Sequence, residues 1–143
     1  FEALTDRRPA NWDTDQDGMP DWWEKLAGTN PSAADNNELT DGEYTQLERY
    51  LNWLAEPHFI TSAGNKLTID LKQYFAGYNQ QPVFTLESSI QPQEGKMKLN
   101  KKGILTISLN KKAADCLIDI KVKATDKDQV ASLQRTFHIA ITQ

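Results

Sequence analysis

The chain has 143 residues, enough for one domain or two small ones. Hydrophobic residues make up 38% of it and charged residues 25%, the balance of a globular chain, and no apolar run is long enough to span a bilayer. A formal charge of −4 argues against nucleic acid as a partner, and a single cysteine, Cys116, excludes an internal disulfide.

The net charge hides an asymmetry. Residues 1–57 hold 13 acids and 4 bases, a balance of −9, whereas residues 58–143 hold 7 acids and 12 bases, a balance of +5. All four tryptophans (Trp12, Trp22, Trp23, Trp53) lie in the first part. This break predicts two units, 1–57 and 58–143, meeting near Pro57. Phe1-Glu2-Ala3-Leu4 lacks the basic start and apolar stretch of a signal peptide, and the chain begins without Met, so it reads as a fragment or a mature product.

Residues 1–12 read as a tether. Asp13-Thr14-Asp15-Gln16-Asp17-Gly18-Met19-Pro20-Asp21-Trp22-Trp23-Glu24 then has the form of a calcium loop. Ca²⁺ takes about six to eight oxygens, which an EF-hand-type loop supplies from its first, third, fifth, seventh, ninth and twelfth positions. Those positions hold Asp13, Asp15, Asp17, the Met19 carbonyl, Asp21 and Glu24. Gly18 falls where the backbone turns sharply, and Glu24 can bind through both oxygens from the following helix. That helix is expected over residues 21–27, with Pro20 before it and Gly28 as its C-cap. Thr29-Asn30-Pro31-Ser32 is turn chemistry.

A second helix is expected over residues 45–56, with Leu47, Tyr50, Leu51 and Leu54 as its apolar stripe and Pro57 as its stop. Trp22, Trp23 and Leu26 can pack against that stripe. Counting back from Glu48 gives a second loop, residues 37–48. Asp41, Gly42 and Glu48 fit its pattern, and Asn37 and Glu43 add oxygens, but Leu39 has none where the third position needs one. This loop is expected to bind calcium weakly or not at all.

The segment 13–24, then Gly28-Thr29-Asn30-Pro31, then residues 41–52 together resemble a region found after the catalytic domain of secreted bacterial pectate lyase-like enzymes. In that family it forms a doubled calcium loop similar to thrombospondin type 3 repeats and dockerins. The resemblance covers about residues 11–54. It implies Ca²⁺ as the bound ion, an upstream catalytic domain as partner, and a secreted, cell-surface or periplasmic bacterial location. Metal in place of disulfides also suits a secreted bacterial module.

From residue 58 the pattern changes to period 2. Leu67, Ile69 and Leu71 alternate with polar neighbours, as do Phe84 and Leu86, Met97 and Leu99, and Leu105, Ile107 and Leu109. Ile118, Ile120, Val122 and Ala124 follow, then Phe137, Ile139 and Ile141. Six or seven strands with one apolar face each predict an antiparallel β-sandwich, so the chain as a whole is α+β. Asp70-Leu71-Lys72-Gln73-Tyr74-Phe75, the turn at 124–126 and the last strand resemble cadherin-like, immunoglobulin-fold modules.

The functional expectation is a non-catalytic, calcium-stabilised, monomeric accessory region of a secreted pectate-type polysaccharide lyase. No phosphate loop, nucleophile elbow or zinc spacing is present, and His58 and His138 are isolated in sequence. One alternative is a module binding acidic polysaccharide through Lys96, Lys98, Lys121 and Lys123. Another is a dockerin-like adaptor, which exposed apolar residues on the second helix would favour.

Overall fold

A computed structural model describes residues 8–77, 82–126, 128 and 131–143. The chain divides into two compact units, Phe1–Trp53 and Leu54–Gln143, three to four residues before Pro57.

The first unit is built on two helices, α1 (Asp21–Ala27) and α2 (Gln46–Ala55). α1 ends at Gly28, which is left-handed (φ 84) and donates its N–H to the Glu24 carbonyl. Trp23 lies 5.1 Å from Tyr50, and Trp22 lies 5.7 Å edge-on from Trp53. Met19, Trp23, Tyr50 and Trp53 are buried. The apolar stripe of α2 differs from the expected one: Leu51 and Leu54 are 51% and 43% exposed, and the inward arc is Gln46, Tyr50 and Trp53, with Leu47 half-buried. A helix this short buries a single arc. The arc carrying two aromatic rings removes more apolar area from water than one carrying leucines, so the helix turns Trp53 inward.

The helix start has its own local cause. Thr45 Oγ1 accepts the Glu48 N–H at 3.2 Å, and Glu48 Oε2 accepts the Thr45 N–H at 2.7 Å. This reciprocal capping box satisfies two backbone donors that a helix start leaves open. Of the expected tether, residues 1–7 lie outside the described residues. Trp12 is not part of a tether: its carbonyl accepts the Asp21 N–H at 2.9 Å.

The second unit has two helix-free sheets. One runs β1 (His58–Ser62), β7 (Ser132–Thr142), β6 (Cys116–Thr125), β3 (Val83–Leu86); the other runs β2 (Lys66–Asp70), β5 (Ile104–Leu109), β4 (Gly95–Leu99). Pairing is antiparallel except that β1 runs parallel to β7, His58 beside His138. β1 and β7 are the first and last strands, so no short connection constrains their direction. The His138 N–H donates to the Pro57 carbonyl at 2.9 Å, which seats the start of β1.

Both sheets turn their apolar faces to one core. Ile69, Leu105, Ile107 and Leu109 come from one sheet, and Ile118, Ile120, Val122, Phe137, Ile139 and Ile141 from the other. These are the inward positions that the period-2 pattern predicts. Leu71 and Phe75 also enter this core, but from a 3-10 turn (Leu71–Tyr74) and the residue after it.

Candidate metal centre

Residues 13–19 wrap around their own carboxylates. Asp17 N–H donates to Asp13 Oδ1 and to Asp15 Oδ1, each at 3.2 Å, and Gly18 N–H donates to Asp13 Oδ2 at 3.0 Å. Met19 N–H donates to Asp17 Oδ1 at 3.0 Å, and the Met19 side chain is buried in the helical unit. This path requires left-handed backbone at Gln16 (φ 61) and Gly18 (φ 99). Glycine adopts the second without strain.

The loop carboxylates form two overlapping groups, Asp13 with Asp15 and Asp17, and Asp17 with Glu24 and Asp35. Within each group one carboxylate oxygen per residue lies within 4.8 Å of the others. Asp17 belongs to both and is 8% exposed, and Glu24 is fully buried. Three oxygens here are buried with no hydrogen-bond partner: Asp15 Oδ2, Glu24 Oε2 and Asp35 Oδ1. The remaining oxygens are tied to the chain. Asp35 Oδ2 accepts the Asn30 N–H at 2.9 Å, and Glu24 Oε1 accepts from the Thr29 hydroxyl at 3.4 Å. Asn36 clamps Asp17 from outside, its N–H donating to Asp17 Oδ2 at 3.1 Å and its amide to the Asp17 carbonyl at 3.0 Å.

The electrostatics follow from this crowding. Burial pushes the Glu24 carboxyl up to about 7, and the charges of Asp15, Asp17 and Asp35 push the same way. Burial also raises Asp15, chiefly, with added repulsion from Asp17 and Asp13. Two carboxylates 4 Å apart repel by about 4 kcal/mol at an effective dielectric of 20. A buried charge left unpaired costs several kcal/mol more. A hard divalent cation removes both penalties. The donor set is all oxygen, with no histidine or cysteine, which suits Ca²⁺ and not the softer transition metals. The group Asp13, Asp15 and Asp17 and the group Asp17, Glu24 and Asp35 each fit such an ion.

Asp35 is absent from the loop read in sequence. It lies eleven residues past Glu24 and reaches the centre through the turn at Asn30, where Ser32 N–H bonds Asn30 Oδ1 at 3.1 Å. Asp21 is placed differently from the sequence reading. Its carboxylate accepts the Thr14 N–H at 2.8 Å and the Thr14 hydroxyl at 2.7 Å, bonds that hold it below the usual carboxylate range, and it is in neither acidic group. Its role in this geometry is to close the loop onto α1.

The second loop is arranged for folding. Glu48 is engaged in the capping box, and Leu39 pairs with Thr45 as an isolated bridge with 70% of its surface exposed. Thr40 N–H and hydroxyl both bond the Tyr44 carbonyl, so residues 40–44 close on themselves. Gly42 does not take the left-handed conformation of Gly18. Asn37, Asp41 and Glu43 are exposed, and no acidic group that could hold an ion includes them among the described residues.

In the second unit the four lysines singled out in sequence do not share a face. Lys96 and Lys98 stand on β4, and Lys121 and Lys123 on β6 of the other sheet. Both sheets turn inward to one core, so their outer faces point away from each other. His138 bridges two carboxylates, with Nδ1 2.6 Å from Asp119 and Nε2 3.1 Å from Glu56. Cys116 is half-buried, and its thiol is pushed up by burial and by Glu94 and Asp115.

No protein-family model and no curated sequence matches the chain. Among solved structures, a nucleoside hydrolase-related hypothetical protein from Saccharophagus degradans, associated with carbohydrate metabolism, aligns at 12% identity and a TM-score of 0.38, over 61% of this chain and 22% of its own. The titin M3 domain aligns at 12% identity and a TM-score of 0.36, over 62% of this chain and 90% of its own. The chain spans less than a quarter of the first of these. Likenesses at this level carry no argument about fold or function.

Proposed function

We propose that the first unit is a structural calcium module and that the chain is a non-catalytic accessory region of a secreted polysaccharide lyase. One observation carries the metal reading: Asp15 Oδ2, Glu24 Oε2 and Asp35 Oδ1 are buried without a hydrogen-bond partner, on residues of two acidic groups that share Asp17. Calcium binds through Asp13, Asp15, Asp17, Glu24 and Asp35, with the Met19 carbonyl as the backbone donor. Asp21 fixes the loop from behind. The ligands surround the ion with protein oxygens, so the metal stiffens the fold. The wider assignment to a pectate-type lyase rests on the resemblance of residues 11–54.

The second unit is read as an immunoglobulin-like sandwich. The order β2-β5-β4 against β7-β6-β3 parallels the B-E-D and G-F-C strands of that fold, which supports the reading. A second function, a dockerin-like adaptor, is favoured by the exposure of Leu51 and Leu54 on α2.

Isothermal calorimetry on the chelator-treated chain tests the metal reading. One dominant calcium site is expected, lost in Asp15→Ala and unaffected by Asp41→Ala. Absence of binding at millimolar calcium, or loss on Asp41→Ala, would overturn it.

A further inference from the structure

A cleft of about 490 Å³ opens at one end of the second unit, lined in part by Lys72, Lys101, Lys102, Asn100, Val83 and Phe84. That volume lies in the usual range for small-ligand sites, about 300–1,000 Å³. We propose that this cleft binds an anionic oligosaccharide, carboxylated or sulfated.

The charge is concentrated and uncompensated. Among the described residues, three lysines and no acid line the cleft, and none of the three lysines has an ion-pair partner. This differs from the lysines on the strand faces, which are divided between two sheets.

The backbone beneath the three ammonium groups is fixed. Lys72 starts from the 3-10 turn, where the Asp70 carboxylate accepts the Lys72 N–H at 3.1 Å. Lys101 and Lys102 stand on the β4–β5 turn, where Asn100 Oδ1 accepts the Lys102 N–H at 2.9 Å and the Ile104 N–H at 3.0 Å. The Leu71 N–H donates to the Gly103 carbonyl at 3.0 Å and staples the two turns together. Gly103 lets the turn lie on Phe84, because a Cβ there would come within 2.7 Å of the ring. Binding therefore orders lysine side chains only, which limits its entropic cost.

The other wall is apolar, with Val83 59% exposed. An acidic sugar presents C–H surface and an anionic group on one ring, which matches both walls. A bare inorganic anion makes no use of Val83. A nucleic acid would need free aromatic faces for its bases. Phe84 packs against Phe75 at 5.4 Å and against Gly103, so it offers no such platform.

The test is an amide NMR titration of the full, calcium-saturated chain with a uronate trisaccharide, a sulfated disaccharide, a neutral trisaccharide and sodium sulfate. Saturable shifts are expected at residues 72, 83–84 and 100–103 with at least one charged sugar, weakening as salt rises. The responding sugar identifies the anionic group. The triple variant Lys72→Gln, Lys101→Gln, Lys102→Gln should lose at least tenfold in affinity with an unchanged melting point. The charge-matched variant Lys66→Gln, Lys111→Gln, Lys112→Gln should keep it. The proposal is overturned by an absence of saturable shifts, by equal shifts with the neutral sugar or sodium sulfate, by shifts centred on Lys96 or Lys121, or by equal losses in both variants. Calcium binding by the first unit is unaffected by any of these outcomes.

Discussion

Asp35 and Asp21 trade places between the sequence reading and the folded chain. In a linear loop the ninth position is a ligand, but Asp21 is engaged by Thr14, and a carboxylate from beyond α1 takes its place in the acidic group. Asp35→Asn should therefore lower calcium affinity at least tenfold by calorimetry, because it removes a charge from the shell. Asp21→Asn should lower it less, acting only through the loop's closure; the reverse ranking would restore the linear loop. Glu24 gives a pH signature. Its folded carboxyl is raised to about 7 from 4.5, so without metal the folded state holds that proton more tightly than the unfolded state. Glu24's contribution to metal-free stability is then full below pH 4.5 and is lost as pH rises through about 7. If calcium binds as proposed it replaces the proton, so the gap in melting point between calcium-loaded and chelated protein should widen from pH 5 to pH 8. A constant gap would mean that Glu24 is not in the shell. Gly18→Ala places a Cβ at φ 99 and should cost at least about 1 kcal/mol, read from denaturant melts in calcium.

At the scale of elements, the strands were the most legible part of the chain. Each exposes one face, so the period-2 positions Ile118, Ile120, Val122 and Ala124 all end up buried. The α1 boundaries were equally legible, because Pro20 and Gly28 act locally. What depended on packing was not. The arc of α2 was decided by the size of Trp53, and the parallel β1–β7 pair joins the two ends of its unit. Glu48 fits the twelfth position of a calcium loop in sequence, but its spacing from Thr45 equally specifies a capping box, which the fold adopts. Thr45→Ala should cost about 1 kcal/mol, equally with and without calcium. A calcium-dependent cost would revive the second loop as a site. In the second unit, burial pulls His138 down, but the Asp119 and Glu56 carboxylates outweigh it and hold the imidazole above its ordinary 6.5. A raised folded value means stabilisation that is complete below pH 6.5 and lost as pH rises through the folded value. His138→Gln should abolish this pH dependence in the melting of the second unit. Its persistence in that variant would contradict the assignment to His138.

At the scale of the whole molecule, the charge break in the sequence marks a physical division. The acidic unit keeps clustered carboxylates that could hold a cation, whereas the basic unit holds itself together with an apolar core between two sheets. Asp35 escaped the sequence because nothing in local spacing connects it to Asp17; the fold does so through Asn30 and Asn36. All four tryptophans belong to the first unit, so their fluorescence reports on it alone. A ligand present at a hundredfold its dissociation constant adds about 2.7 kcal/mol to the state it binds. For a unit this small that shifts the melting point by roughly 10 °C or more. The deciding measurement is a thermal melt of the full chain, followed by tryptophan fluorescence and by far-ultraviolet β-sheet dichroism, in calcium and in chelator. Chelation should lower the tryptophan transition by at least about 10 °C and leave the β-sheet transition in place. Coincident transitions that move together, or a tryptophan transition indifferent to chelation, would contradict the account.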